Sequence, residues 1–142
     1  MTAKQLSVFI ENRKGRLSEV LEVLKENDVN ILSMSLADTT EYGLLRLIVN
    51  KPELGKQKLT ESGFSSLLSD VIILKIPHKV GSLQQLLKAL EEANVNVEYM
   101  YGLSTLGSEA YVVLKSSNVQ QTAEVLEANG VKTLLPEDVA KL

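Results

Sequence analysis

The sequence contains two copies of one segment, and this repeat restricts the possible folds more than any other feature. Aligning Gly15 with Gly81, 66 positions further on, places residues 8–35 over residues 74–101 without a gap. The aligned identical pairs are Ile10/Ile76, Gly15/Gly81, Leu17/Leu83, Leu21/Leu87, Leu24/Leu90, Glu26/Glu92, Val29/Val95, Asn30/Asn96 and Met34/Met100. A shared amphipathic pattern explains the leucines, but not the repeated glycine and Val-Asn pairs. The sequence therefore indicates a duplication, with one domain over residues 1–70 and a second over residues 71–142.

Each copy has the same predicted order of secondary structure. In the first, apolar alternation predicts a strand over residues 6–10, and leucines at helical spacing predict a helix from residue 17. Strands at 31–36 and 44–49, joined by a turn at 38–43, precede a helix from Pro52 to about residue 62 and a short strand ending near residue 68. The second copy predicts strands at 71–76, 97–101, 110–115 and 131–135, helices at 83–90 and 119–128, and a helical turn within 136–142. This βαββαβ order, present twice, predicts an α+β protein of two ferredoxin-like units, each an antiparallel sheet with its helices on one face.

Composition excludes several kinds of chemistry. The chain has no cysteine and one histidine, His78, so thiolate metal sites, disulfides and sites with two imidazoles are impossible. We expect no metal, no cofactor and no enzymatic activity, because no base–nucleophile set and no phosphate-binding glycine motif is found. The formal charge is 15 − 18 = −3, which gives no large basic surface for nucleic acid. No apolar run approaches membrane-spanning length, and we expect a cytoplasmic protein without membrane contact.

The loop before the first helix of each copy is the leading candidate for function. Residues 12–17 and residues 78–83 occupy equivalent places, each with a central glycine followed by a helix start. Glycine permits a tight turn and close approach, and the free amides of a helix N-terminus favour a carboxylate. The simpler interpretation is that glycine only makes the turn. In the second copy, Ser82 and Gln85 have capping-box spacing, which predicts internal use of some of those amides.

Two asparagines form a second repeated feature. Asn30 and Asn96 each follow a valine between the first helix and the second strand of their copy. Asparagine both donates and accepts hydrogen bonds, so it can hold the polar groups of a ligand. It is also a common turn residue that bonds the local backbone, and this alternative stays open.

This combination of strand, polar loop, Gly-x-Leu, amphipathic helix, Val-Asn and strand resembles the ACT domain. The resemblance covers most of both copies, although Lys14 and Val80 stand where the family often has a proline before the glycine. ACT domains are regulatory modules that commonly bind amino acids at domain or subunit interfaces. The resemblance implies a free-standing protein that binds a small amino acid, with the ligand-binding candidates Asn12, Gly15, Arg16, Leu17, Asn30, His78, Gly81, Ser82, Leu83 and Asn96.

The two copies differ where a ligand would bind. The first loop carries the cations Arg13, Lys14 and Arg16, whereas the second carries His78 and Ser82. Tyr99 and Tyr101 replace two serines of the first copy and are candidates for a pocket wall, so the two sites are not expected to be equivalent. The two copies use nearly the whole sequence, which leaves no room for a catalytic domain, so a separate enzyme is a candidate partner. We expect a homodimer, because each predicted unit exposes a sheet edge and one sheet face. The main alternative is a ligand-free interaction module that acts as a small regulatory subunit.

Overall fold

The structure of the chain, a computed structural model, describes residues 2–38 and 41–142. Strands and helices follow the predicted order in both copies. The elements are β1 (Ala3–Glu11), α1 (Arg16–Glu26), β2 (Ile31–Asp38), β3 (Tyr42–Val49), α2 (Pro52–Glu61), β4 (Ser65–Pro77), α3 (Ser82–Glu92), β5 (Val97–Leu106), β6 (Glu109–Ser116), α4 (Val119–Ala128), β7 (Lys132–Thr133) and α5 (Pro136–Val139). The two-copy α+β prediction is therefore confirmed.

Contacts between residues divide the chain into two compact units. The N-terminal unit consists of Lys4–Ser69 together with Ala140–Leu142. The C-terminal unit consists of Asp70–Val139 together with residues 2–3. Each unit combines one long sequence segment with a few residues from the opposite end of the chain.

The sheet of the N-terminal unit is antiparallel, with β3 paired to β1 on one side and to β2 on the other. Val8 lies opposite Leu45, and Leu45 lies opposite Leu36, so these side chains share one sheet face. Helices α1 and α2 bury their apolar residues on that face. The core consists of Leu6, Val8, Ile10, Val20, Leu24, Val29, Leu45, Leu47, Val49, Leu59 and Phe64. Each fully buried leucine stabilises the unit by about 1.5–3 kcal/mol.

The C-terminal unit repeats this arrangement with β6 between β4 and β5. Leu74 lies opposite Val112, and Ile72 lies opposite Leu114, on the face that α3 and α4 cover. The core consists of Ile72, Leu74, Ile76, Leu86, Leu90, Val95, Val112, Leu114, Ala123 and Leu126. Leu90 is the aligned counterpart of Leu24, and both are almost completely buried. The leucine stripes predicted from the sequence therefore face the sheets, except for Leu83, which is 38% exposed.

Several strand boundaries differ from the prediction, and two of the differences concern the ends of the copies. The two strands expected on either side of Ser69 and Asp70 form one strand, β4, because no glycine or proline interrupts the chain between Phe64 and Ile76. The last predicted strand is shorter than expected, since β7 contains only Lys132 and Thr133. Of the predicted turn at 38–43, Thr39 and Thr40 lie outside the described residues. None of the helices in the described ranges is long and apolar enough to span a bilayer.

Candidate functional site

The two strand–helix loops have the same backbone geometry. After β1, the Arg13 N–H donates to the Glu11 carbonyl at 2.8 Å, and after β4 the Lys79 N–H donates to the Pro77 carbonyl at 3.0 Å. The Arg16 N–H then donates to the Arg13 carbonyl at 3.4 Å, and the Ser82 N–H donates to the Lys79 carbonyl at 3.3 Å. Duplication has therefore preserved the loop bond by bond, although most of its side chains have changed.

Glycine is required in both loops by the backbone conformation. Gly15 has φ +88° and Gly81 has φ +87°, in the left-handed region that disfavours residues with a side chain. A Cβ added at either position would meet no other atom within 4 Å. The conformation alone explains both glycines, in agreement with the simpler interpretation. The same geometry leaves open space beside each helix start.

Both helices begin without a side-chain cap. Gly15 and Gly81 occupy the N-cap positions, and their carbonyls accept from the Glu19 and Gln85 N–H groups at 3.0 Å. Within residues 2–38 and 41–142, the structure shows no acceptor for the two amides that follow the first helical residue in either copy. Such amides, together with the helix dipole, favour an anionic group.

The expected capping box at Ser82 is wrong. Because Gly81 is the N-cap, Ser82 is the first helical residue and is not placed to cap the helix. Its Oγ is buried and has no hydrogen-bond partner among the described residues. A buried hydroxyl without a partner is unfavourable by about 1–3 kcal/mol, so its presence needs a physical explanation.

In the N-terminal unit, the counterpart of Ser82 is a large, engaged side chain. The Arg16 guanidinium carbon lies 4.4 Å from the centre of the Phe64 ring, a cation–π contact. The Arg16 Nη1 also lies 2.5 Å from the Glu19 Oε2. The Arg16 Nε is buried without a partner in the described part of the chain. Arg16 therefore lies along the surface between its helix and Phe64.

In the C-terminal unit, the corresponding place is a groove of about 280 Å³. One wall is α3, which contributes Ser82, Gln85, Leu86 and Ala89. The other lining residues are Asn129 and Val131, after α4, and Ile76, Pro77 and Lys79, at the end of β4 and in the loop that follows it. Every lining residue belongs to the C-terminal unit.

The repeat alignment explains why the two units differ here. Aligning Gly63 with Gly130, 67 positions apart, pairs Phe64 with Val131, and their N–H groups make equivalent 2.9 Å bonds to Leu59 and Leu126. The groove of the C-terminal unit therefore lies where Arg16 and Phe64 meet in the N-terminal unit. Sequence reasoning missed the groove, although this second alignment carried the signal.

Asn30 and Asn96 lie away from the glycine loops of their own units. Helix α1 has 11 residues, a rise of about 16 Å, and separates Gly15 at its start from Asn30 beyond its end. Asn30 exchanges two bonds with Asn50, whose side-chain oxygen accepts from the Asn30 N–H at 2.8 Å. The Asn96 side chain donates to the Ser117 Oγ at 3.2 Å. The Asn96 side chain therefore has a structural contact before β5, whereas the two bonds of Asn30 use only its backbone.

The other predicted residues divide into exposed loop positions and helix positions. Asn12 and His78 are exposed, and their backbone N–H groups donate to the Glu41 and Ser108 carbonyls. Leu17 packs against the core, whereas Leu83 is exposed. Tyr99 and Tyr101 stack with ring centres 6.5 Å apart on β5 and are not among the residues that line the groove.

No cluster of three or more histidine, cysteine, aspartate or glutamate side chains suited to a metal occurs in the part of the chain that the structure describes. The ten predicted ligand-binding residues thus fall into three groups. Asn12, Gly15, Arg16 and Leu17 lie at the first loop, His78, Gly81, Ser82 and Leu83 at the second, and Asn30 and Asn96 at the far ends of the helices.

The whole sequence, residues 1–142, matches the family described as the ACT domain pair. The chain belongs to this family. The resemblance stated from the glycine and Val-Asn motifs is therefore confirmed. No curated protein matches this chain.

Solved structures agree with this fold. Protein BT0572 from Bacteroides thetaiotaomicron is 37% identical, with a TM-score of 0.95 over 100% of this ACT domain pair and 98% of that chain. The ligand-free regulatory subunit of aspartate kinase from Thermus thermophilus is 14% identical, with a TM-score of 0.62 over 88% and 91% of the two chains. The regulatory subunit from Thermus flavus is also 14% identical, with a TM-score of 0.60 over 88% and 90%. The last two likenesses concern the fold.

Proposed function

We propose that this ACT domain pair is a non-catalytic regulatory protein that binds a small amino acid at one or both of its strand–helix loops. The observation that carries the proposal is the repeated left-handed glycine before an uncapped helix, at Gly15 and Gly81. Family membership supports it, and so does the similarity in fold to the regulatory subunit of aspartate kinase from Thermus thermophilus.

The chemistry of the loops suits a zwitterion. The first-turn amides of α1 and α3 favour the carboxylate, and nearby cations such as Lys14 and Lys79 reinforce that preference. The exposed side chains of Asn12 and His78 offer polar groups for the ammonium or the side chain of the ligand. Regulation by binding requires no catalytic residue, because no bond in the ligand is made or broken. The bound ligand acts by favouring one conformation of the protein over another.

Under this proposal Asn30 and Asn96 are separate polar positions, because a helix lies between each and the glycine loop of its unit. Asn30 borders a second surface depression with Leu21, Lys25 and Asp28. The proposal at the loops therefore does not depend on either asparagine.

Homodimerisation and an enzyme partner are further parts of the proposal. The outer strand β2 leaves Met34 and Leu36 40% and 48% exposed. An exposed strand edge with apolar side chains is a surface that another chain can cover. Light scattering after size exclusion tests this, and a monomer throughout the micromolar range would contradict it.

A ligand-free interaction module is the second candidate function. It is favoured by Val80, an apolar side chain that is fully exposed at the tip of the second loop. An exposed valine at this position contributes nothing to folding but is suited to contact with a protein partner. Mass-resolved pull-down from native lysate distinguishes the candidates, because this function requires a stoichiometric partner whether or not an amino acid is present.

A thermal-shift panel of the twenty standard amino acids tests the main proposal. A ligand at 100 times its Kd stabilises the folded state by about 2.7 kcal/mol, which raises the unfolding midpoint measurably. The expected result is a rise with one amino acid or a few related ones. Unchanged midpoints with every amino acid at millimolar concentration would contradict the proposal and favour the interaction module.

Gly81→Ala and Gly63→Ala form a matched pair for locating the binding region. Gly63 has φ +89°, also with no atom near an added Cβ, but lies after α2 and outside the strand–helix loops. Both variants carry similar backbone strain, so both should unfold more easily. Only Gly81→Ala should reduce the ligand-induced rise, and an equal reduction in both would contradict binding at the loop.

A further inference from the structure

We propose that the groove of the C-terminal unit, between α3 and Val131, binds a small aliphatic α-amino acid, and that Arg16 closes the corresponding place in the N-terminal unit. This inference rests on the proposed function and names the binding unit and the class of ligand. It is based on three aligned residues that differ between the copies and on the buried Ser82 hydroxyl.

Three aligned residues differ between the N-terminal unit, where this place is filled by side chains, and the C-terminal unit, where it is a groove. Arg16 is replaced by Ser82, Glu19 by Gln85 and Phe64 by Val131. In the N-terminal unit these three side chains form one interaction set, with the guanidinium over the ring and beside the carboxylate. In the C-terminal unit the cation, the anion and the ring are all lost together, and a groove of about 280 Å³ lies among their counterparts.

The Ser82 hydroxyl is the independent sign of a ligand. Ser82 is only 9% exposed, lines the groove, and its Oγ has no partner among the described residues. A buried hydroxyl that bonds nothing is unfavourable, and a ligand that accepts from it and donates to it removes that cost. The Oγ itself is buried, so the hydroxyl has to turn about the Cα–Cβ bond to meet a ligand in the groove.

The charge of the lining selects an anionic group at one end. Lys79 is the charged residue among the nine that line the groove, and no carboxylate accompanies it. Lys79 precedes the start of α3, where the amides also favour negative charge. A ligand carboxylate is therefore expected between Lys79 and Ser82.

Amide oxygens and an apolar wall complete the requirements for an amino acid. The Asn129 Nδ2 donates to the Val125 carbonyl at 2.8 Å, which leaves its Oδ1 as an acceptor for an ammonium. Gln85 supplies a second amide where the other copy has a carboxylate. Leu86, Ala89 and Val131 form the apolar part, which suits a short aliphatic side chain. The volume lies just below the range of about 300–1,000 Å³ typical of ligand pockets, as expected for a ligand of few atoms.

Calorimetric titration of the full chain with L-alanine, L-valine and L-leucine tests the inference. We expect at least one of them to bind, and 3-methylbutanoate, which is L-valine without its ammonium, to bind roughly tenfold or more weakly. Equal binding of L-valine and 3-methylbutanoate would overturn the assignment to amino acids. If none of the three amino acids binds while another does in the thermal-shift panel, the aliphatic class is wrong and the proposed function stands.

Variants then locate the ligand. Ser82→Arg with Val131→Phe transfers the closing side chains of the N-terminal unit into the groove, and should abolish binding. Ser82→Ala removes only the hydroxyl and should weaken binding by roughly tenfold. It also provides a test if the double variant does not fold, which circular dichroism shows.

Phe64→Val is the matched control, because it changes the closing ring in the other unit and leaves the groove unaltered. Its affinity for the amino acid should equal that of the original chain. Retained affinity in the folded double variant, or in Ser82→Ala, would overturn the groove as the site while leaving amino-acid binding by the protein intact. Absence of binding by every amino acid would instead contradict the proposed function itself.

Discussion

The strand–helix segments of the two units share one backbone but differ in the side chains that cover it. Gly15 and Gly81 have nearly identical φ angles, and the loops that precede them make equivalent hydrogen bonds. Beside this common frame, Arg16 contacts Phe64 in one unit, whereas Ser82 faces a groove in the other. The two copies have thus kept the glycine and the backbone hydrogen bonds of the loop. They differ in the side chains that determine whether a small molecule can enter.

The second helices of the units show the same division. Both α2 and α4 cover the sheet with a buried leucine, Leu59 or Leu126. Their starts differ, because the Asn118 side chain caps α4 by accepting from the Gln121 N–H at 3.0 Å, whereas Lys51 makes no side-chain cap on α2. Substitutions at aligned positions of the cores and of the glycine loops should therefore change the free energy of unfolding equally. Substitutions at the helix starts and at the groove should change it unequally.

The largest effect is expected in the two cores, where the units are alike. Leu24→Ala and Leu90→Ala each remove an almost fully buried side chain at aligned positions of α1 and α3. Each should lower the free energy of unfolding by about 2–5 kcal/mol, measured by urea denaturation. A cost below about 1 kcal/mol for either leucine would break the equivalence of the cores.

Alanine at the two loop glycines should have smaller but equal effects. Gly15→Ala and Gly81→Ala force a side chain into left-handed backbone at the same φ, with no contact to relieve or worsen the strain. The free energy of unfolding should fall by about 1–2 kcal/mol in each variant. Gly102→Ala is the control, since Gly102 has open space and no left-handed φ, and it should not be destabilising. Unequal losses of stability in Gly15→Ala and Gly81→Ala would show that the two loops differ in backbone conformation in solution.

The helix caps should separate the units. Asn118→Ala removes the side-chain cap of α4 and should cost about 1 kcal/mol. Lys51→Ala loses the exposed bonds of its ammonium to the Asp28 carbonyl and carboxylate, and should cost less. Equilibrium unfolding of both variants measures the difference, and a larger loss for Lys51→Ala would contradict the assignment of caps.

The smallest stability effect is expected at the closed place of the N-terminal unit. Arg16→Met retains an apolar chain beside Phe64 but removes the cation–π contact and the ion pair with Glu19. A loss of about 0.5–1 kcal/mol is expected at low salt, and it should shrink as salt is added. Arg13→Met is the control, because its pair with Glu11 is more exposed. A gain in stability in Arg16→Met would contradict a stabilising role for Arg16.

The helices and strands could be predicted because the repeat and the spacing of apolar residues are visible within short segments of the sequence. The leucine stripe of α1 and the alternation of β1 each require only neighbouring residues, and both were placed correctly. The junction was harder, since two apolar runs separated by Ser69 and Asp70 can form two strands or one. The second half of β4 pairs with β6 and β7, which lie far along the sequence.

The candidate site could be predicted only in part. Residues 12–17 and 78–83 were identified from the repeated glycine, but the groove also requires Val131, which lies far along the chain and approaches Ser82 only after folding. The capping box failed because the sequence pattern does not reveal which residue is the N-cap, and a left-handed Gly81 takes that position. Asn30 was included among the ligand-binding candidates because it is repeated, but α1 separates it from Gly15.

A small amino acid is expected to bind in the C-terminal unit and not at the aligned place in the N-terminal unit, where Arg16 contacts Phe64. Titrating the ¹⁵N-labelled full chain with L-valine, and following each backbone amide by NMR, tests this most directly. Shifts are predicted at Gly81, Ser82 and Val131, with Gly15, Arg16 and Phe64 unchanged. Equal shifts in both sets, or shifts confined to the N-terminal unit, would contradict the claim.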